Sequence, residues 1–297
     1  MTKRVLITGA SGLIGRYVTD ELASDHHLIL SSRGRFPLPA DFSHSSFDIS
    51  RTDEISPWLS DLSPEVIVHT AAVTSIAEAS LDTEYTRRVN VEAPREIAMW
   101  CAANNVRLVH FSTDFIFDGT RRDWKETDQA GPLSDYGRSK LESEKAVLST
   151  SENTVVIRPI LVYGYHADLV RPNFPILVAE KLSRGDRMSI TSDQYRMPTY
   201  AGDLSRAVAS LIDHSFTGVL HLCGPDYLNI MEFATLVAER FDLDPELLTA
   251  IETVVRDGED ARPMISGFDT SLAANTIDWD PQPISATLDS IRSIYRK

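Results

Sequence analysis

The stretch Val5-Leu6-Ile7-Thr8-Gly9-Ala10-Ser11-Gly12-Leu13-Ile14-Gly15 decides how this chain is read. A short apolar run breaks at Gly9, and glycines return at Gly12 and Gly15, where a helical pattern through Leu13, Ile14, Val18 and Leu22 begins. Strand, glycine turn and helix follow in the order that lets a backbone meet a dinucleotide. Gly9 permits the tight turn, Gly12 lets the main chain approach a pyrophosphate, and Gly15 lets the helix lie close to the strand. Free N–H groups and the positive end of the helix dipole then face the phosphates. A turn kept small for packing alone would show the same glycines, so the rest of the chain must carry the nucleotide reading further.

Outward from this turn, Leu28-Ile29-Leu30 predicts a second strand ending in Ser31-Ser32-Arg33-Gly34-Arg35. An acidic residue at that strand end would bind a ribose 2′-hydroxyl, whereas arginine accepts a 2′-phosphate. With Arg33 and Arg35 there and no Asp or Glu, NADP(H) is the expected coenzyme and NAD(H) the alternative. Phe47-Asp48-Ile49 predicts a third strand with Asp48 near an adenine edge, and Thr52 to Leu62 a helix that Pro57 opens late or kinks. Val66-Ile67-Val68-His69-Thr70 is a strand buried on both faces of a parallel sheet. Its His69 reads as a packed strand histidine, and Ala71-Ala72 leave room for a cofactor. A long helix from about Asp82 to Asn104 carries Asn90; strands at Leu108 to Ser112 and Val155 to Ile157 end in Thr113-Asp114 and Arg158-Pro159.

Strands alternating with helices imply an α/β fold, a doubly wound parallel sheet of Rossmann-like type whose ligands bind at the carboxyl ends of the strands. Thr8, Arg33, Thr70, Thr113 and Arg158 come together on that edge. Beyond residue 160 the pattern loosens, and a second, smaller substrate-binding lobe is expected. The expected division is a dinucleotide-binding domain over 1–160, with returning segments near 196–224, and a substrate lobe over 161–195 and 225–297.

The net charge of −14 over 297 residues argues against nucleic acid or an anionic membrane as partner, because both need a basic surface. No apolar run approaches the roughly 18 residues that span a bilayer. Met1-Thr2-Lys3-Arg4 leads straight into the first strand with no room for a signal peptide, and the two cysteines read as buried free thiols, so a cytoplasmic protein is expected. No metal is implied: the histidines lack helical His-x-x-x-His spacing, and two cysteines cannot build a structural zinc site. A homodimer is compatible with the sequence, although no apolar stripe marks its surface.

Tyr136 and Lys140 stand four residues apart at a helix start and share one face. An ammonium beside a phenol is expected to lower its pKa from about 10 and ready it for proton transfer. Tyr136 would then exchange a proton with a carbonyl oxygen as hydride moves between substrate and nicotinamide. Lys140 would hold the nicotinamide ribose, and Thr113 would hydrogen-bond the reacting oxygen.

At these residues the chain resembles the extended short-chain dehydrogenase/reductase superfamily over nearly its whole length, and within it the dTDP-4-dehydrorhamnose reductase branch. The resemblance rests on Thr8 to Gly15, His69 to Ala72, Ser112-Thr113-Asp114-Phe115-Ile116-Phe117-Asp118-Gly119, Tyr136 to Glu142, and Arg196-Met197-Pro198-Thr199-Tyr200. It implies Thr113, Tyr136 and Lys140 as the catalytic triad and a deoxysugar nucleotide reduced at C4. It also implies cofactor contacts at Gly9, Ser11, Gly12, Leu13, Ile14, Arg33, Asp48, Ile49, Ala71, Ala72, Asn90, Tyr136, Lys140 and Pro159. Thr113, Asp114, Phe115, Tyr163, Arg196 and Arg262 are the expected substrate contacts, with Arg158 and Arg171 as further candidates for the diphosphate. Two departures bear on the sugar. Pro159-Ile160-Leu161 replaces the family's aromatic after the sixth strand, and Val73 to Glu78 lacks its charged pair. The same features resemble the regulatory β-subunit of methionine adenosyltransferase, which keeps the fold, and sugar-nucleotide epimerases or dehydratases remain a third reading.

Overall fold

The computed structural model describes residues 1–34, 41–169, 171–254 and 261–296. Arg35, one of the two arginines expected near the ribose, lies outside the described residues.

Seven parallel strands form the central sheet: β1 (Arg4–Thr8), β2 (His27–Ser32), β3 (Ser43–Ser46), β4 (Val66–His69), β5 (Arg107–Phe111), β6 (Thr154–Pro159) and β7 (Gly218–Leu222). Their order is β7-β6-β5-β4-β1-β2-β3, so the chain reverses its direction of travel between β1 and β4. This is a doubly wound, Rossmann-like sheet, and the crevice at that reversal is where such sheets bind ligands. At the strand ends Thr8 lies in register with Ser31 on one side and His69 on the other.

Alternation along the strands fills two cores. Val5, Ile7, Val68 and Val109 face one side, packed by helices α1 (Leu13–Leu22) and α5 (Ala201–Ile212); Leu6, Ile67, Leu108 and Val156 face the other, packed by α2 (Ile55–Leu62), α3 (Ala93–Asn104) and α4 (Asp135–Thr150). A third core around Tyr163, Phe233 and Leu288 joins the helices Phe174–Ser183, Ile230–Arg240 and Ile284–Tyr295. Asn229 opens the second of these with a full capping box to Glu232.

Several boundaries differ from the sequence expectation. The third strand is Ser43–Ser46, not Phe47–Ile49: an Asx turn, Ser50 N to Asp48 Oδ1 at 3.0 Å, bends the chain away just after the sheet edge. Pro57 sits in the first turn of α2, after a 3₁₀ turn at Thr52–Glu54, where its missing N–H costs no hydrogen bond. The long helix is split by a π turn at Arg88–Glu92 that carries Asn90. Such bulges re-aim side chains near functional sites.

Gly9 has φ +68° and Gly15 has almost no room: a Cβ there would meet the Gly9 carbonyl oxygen at 2.4 Å and Ala10 Cα at 2.7 Å. Helix and strand therefore touch backbone to backbone. Gly15→Ala is expected to cost about 1–3 kcal/mol of overpacking strain, read as a lowered midpoint in urea unfolding; an unchanged midpoint would contradict this contact.

Candidate active site

The site is built from the turn outward. Gly12 is the N-cap of α1, extended and exposed, with no side chain capping the first turn. The N–H groups that open a helix need acceptors, and here no side chain supplies one. Ser11, Leu13 and Ile14 flank it, half-buried. Opposite lie Ala71 and Ala72; Ala71 N would come within 2.7 Å of a Cβ at Gly9, so the loop after β4 packs on the turn. Both features suit a pyrophosphate lying across the reversal point.

Tyr136 and Lys140 rise from the first turns of α4, which Ser134 caps by accepting from Gly137 N at 3.1 Å. Tyr136 packs edge-on against Phe115, ring centroids 5.6 Å apart, and hydrogen-bonds Thr113. Thr113 Oγ1 accepts from Phe115 N and donates to Asp114 Oδ1, each at 3.2 Å. Thr113 and Tyr136 thus meet, and Lys140 follows Tyr136 one turn on along α4.

Their electrostatics correct one expectation. Burial pushes the Tyr136 phenol up to about 12, with the Thr113 hydrogen bond opposing and Asp114 reinforcing the rise. Burial also pulls Lys140 down to about 8, against the attraction of Glu144. Desolvation dominates, so the phenol is held protonated rather than readied as an anion. Lys140 is 2% exposed, and no carboxylate among the described residues pairs with it directly. Its neighbour Glu144 is already held by Arg158 in a buried bidentate pair at 2.6 and 2.9 Å. A buried ammonium without a partner of its own fits a ribose diol, and the residues present therefore suit a dinucleotide.

That pair removes Arg158 from the diphosphate candidates; its guanidinium also reaches His221 Nε2 at 3.0 Å and Glu126 O at 3.3 Å. Arg196 is a second correction. It is 4% exposed, with Nη1 and Nη2 on the carbonyls of Tyr195, Pro263 and Met264 and on Gln194 Oε1, so it staples backbone instead of facing a ligand. Tyr163 is a third: buried in the third apolar core, its hydroxyl 2.6 Å from Thr287 Oγ1. Arg171 lies on the surface opposite Glu78 at 3.4 Å, and Arg262 is exposed.

Asn90 stands one step behind the site. Its amide accepts from Val73 N and donates to Val73 O and Ser139 Oγ, which ties the loop after β4 to α4 and spends both amide protons. Ile49 is buried among the apolar side chains beneath the sheet. Pro159 ends β6. Arg33 donates to Tyr85 Oη at 2.6 Å. With Ser46, Phe47, Asp48 and Arg51 it lines a cavity of about 280 Å³.

Sequence reasoning missed Ser266, whose hydroxyl lies 2.5 Å from Asp114 Oδ2. Both carboxylate oxygens are thus taken by Ser266 and Thr113, and Asp114, 3% exposed, orients Thr113 rather than reaching out for substrate. No local pattern could have joined positions 152 residues apart.

Residues 3–295 match the model of the RmlD substrate binding domain. The chain belongs to that family. Among its relatives, a probable low-salt glycan biosynthesis reductase of Haloferax volcanii is 29% identical, covering 97% of each chain. A dTDP-4-dehydrorhamnose reductase of Mycolicibacterium smegmatis is 31% identical over 83% of this chain and 72% of its own. The crystal structure of a dTDP-4-dehydrorhamnose reductase from Bacillus anthracis in complex with NADP shares the fold, with a TM-score of 0.86, 23% identity and coverage of 100% and 99%. In this RmlD-family chain, no group of three or more His, Cys, Asp or Glu among the described residues is placed to hold a metal, and no described helix is long and apolar enough to cross a membrane.

Removing one member of a buried ion pair strands the other, at about 3–5 kcal/mol. Arg158→Met is therefore expected to lower stability by about that much in urea unfolding; a loss below about 1 kcal/mol would return Arg158 to the ligand candidates.

Proposed function

We propose that the protein is an NADPH-dependent reductase of a keto group on a nucleotide-linked deoxysugar, similar in reaction to its dTDP-4-dehydrorhamnose reductase relatives. The observation that carries this reading is the meeting of Thr113 with Tyr136, with the buried Lys140 one turn on along the same helix, at the carboxyl edge of a sheet whose first turn suits a pyrophosphate. When bound, NADPH supplies the hydride that reduces the carbonyl carbon. The chain supplies the rest.

Tyr136, protonated at neutral pH because burial raises its pKa to about 12, gives its proton to the carbonyl oxygen as that oxygen gains charge. Lys140, still charged below about 8, stabilises the tyrosinate left behind and holds the coenzyme's ribose. Thr113, held by Phe115 N, turns its one hydroxyl proton from Asp114 Oδ1 to the same oxygen when substrate binds. Phe115 walls the sugar side of Tyr136. With Arg158 and Arg196 committed elsewhere, exposed Arg262 is the cation we assign to the substrate's diphosphate.

We further propose the division of labour read from the sequence: 1–160 with the segments near 196–224 hold the coenzyme, and 161–195 with 225–297 hold the sugar nucleotide. The separate apolar core around Phe233 and Leu288 supports that second lobe as a packed unit.

Tyr136→Phe is expected to lower kcat about 10²–10⁴-fold while NADPH still binds, measured by absorbance with a panel of nucleotide-sugar ketones. One NADPH consumed per sugar reduced separates this reaction from epimerisation or dehydration, which retain the coenzyme, and from a subunit that holds it without turnover. Retained turnover in the variant rejects Tyr136 as the acid.

The pH dependence has a definite sign. Lys140 carries its proton below about 8, so reductive kcat/KM should be level on the acid side and fall as pH rises through that value. A rate that stays level up to pH ~10 would show that the charge of Lys140 is not needed.

A further inference from the structure

Thr113 has a single hydroxyl proton, and two acceptors call on it. In the structure it goes to Asp114 Oδ1 at 3.2 Å, while Phe115 N donates to the Thr113 oxygen. Turning that proton toward a substrate oxygen takes a donor away from a buried carboxylate. A charge removed from water and left without donors is destabilised. We infer that Ser266 is a positioning residue for the reduction: its hydroxyl keeps hold of Asp114 and so frees the Thr113 hydroxyl to follow the oxygen that gains charge. This rests on the reductase reading given above and adds to it a residue from the far end of the chain.

The geometry suits that division of labour. Ser266 Oγ donates to Asp114 Oδ2 at 2.5 Å, on the oxygen that Thr113 does not use, so the two hydroxyls do not compete. Ser266 is itself buried, which keeps water from standing in for it. Its main chain is pinned on both sides. Ile265 N donates to Gly119 O at 3.1 Å, Ser266 N to Tyr195 O at 2.9 Å, and Trp124 N to Gly267 O at 3.2 Å. A short side chain on a fixed backbone has little rotamer freedom to lose, so the bond to Asp114 is held at small entropic cost.

The other groups around Asp114 do not fill this role. Burial pushes its carboxyl up; the charge of Arg196, then the Ser266 and Thr113 bonds, and last its own backbone N–H oppose the rise. Arg196 acts through its charge, since Nη1 and Nη2 go to the carbonyls of Tyr195, Pro263 and Met264 and to Gln194 Oε1. Tyr136 and Cys223 feel the Asp114 charge, and burial pushes both up to about 12, so both stay neutral. Among the described residues, Ser266 and Thr113 are the side chains that donate to the carboxylate. Without Ser266, Thr113 would be the last of them, and moving its proton to substrate would strand the charge. That penalty falls on the step in which the substrate oxygen gains charge, and so on kcat.

The test compares the full native chain, Ser266→Ala, Asp114→Asn and the double variant. It uses NADPH oxidation with the nucleotide-sugar ketone that native protein reduces fastest, and carboxyl-carbon NMR titration of Asp114 without ligands. Ser266→Ala is expected to lower kcat about tenfold, the size of one charge-assisted hydrogen bond, with KM for the ketone within about threefold. The Asp114 midpoint is expected to rise by about one pH unit in that variant, because a donor to the charged form is gone. In the Asp114→Asn background no charge can be stranded, so adding Ser266→Ala should change kcat less than about twofold. A mere packing defect would lower kcat equally in both backgrounds. Ser266→Cys fills the same place with a much weaker donor and is read instead if the alanine variant does not fold. Native kcat in Ser266→Ala, an equal loss in the Asp114→Asn background, or an Asp114 midpoint that does not rise overturns the role of Ser266 and leaves the reductase reading standing. Native protein that reduces no ketone overturns both.

Discussion

An ammonium kept 2% exposed is the constraint around which the site is arranged. Removing Lys140 from water penalises its charge, and the structure answers with Glu144 one helical turn away instead of a direct partner. The consequences run across the same sheet face. His69 and His110 stack at 5.4 Å, buried, and burial followed by the Lys140 charge drives His69 down to about 3 and His110 well below its usual value. Both are therefore neutral. His69 is held by Thr8 at 2.7 Å and His110 by Ser143 at 3.0 Å, while Arg158 binds Glu144 and His221. A row of polar side chains thus crosses the sheet from β1 to β7 near the carboxyl edge, on a face that is otherwise apolar.

The segment after residue 260 is tied to the loops beyond β5 and to Tyr195 by main-chain hydrogen bonds. Ile265 N meets Gly119 O, Ser266 N meets Tyr195 O, and Trp124 N meets Gly267 O. Arg196 adds its bonds to the Pro263 and Met264 carbonyls. Gly119, at φ +71° with a built Cβ only 2.4 Å from Pro263 Cα, allows this close passage. Ser266 then reaches Asp114, so this segment also sets the group that orients Thr113.

What could be read from sequence was what depends on neighbours within a turn or a strand. The glycines at 9 and 15 announce a turn and a tight helix–strand contact, and four-residue spacing puts Tyr136 and Lys140 on one face. Burial and partner choice are not local. Tyr136 could be placed, but the direction of its pKa could not, because desolvation depends on Phe115 and the whole sheet edge. Arg158 and Arg196 looked like ligand cations because arginine at a strand end serves either use; Glu144 and a set of carbonyls decide between them. The edge strand Ser43–Ser46 has no apolar residue to signal it, and pairing with β2 alone defines it.

The most direct measurement is the titration of Lys140 itself, followed by heteronuclear NMR on its side-chain nitrogen in the unliganded protein. A midpoint near 8 is expected if burial holds the ammonium without a direct partner. A midpoint near the ordinary lysine value of about 10.4 would mean a solvated or paired side chain, and would contradict the site's central arrangement.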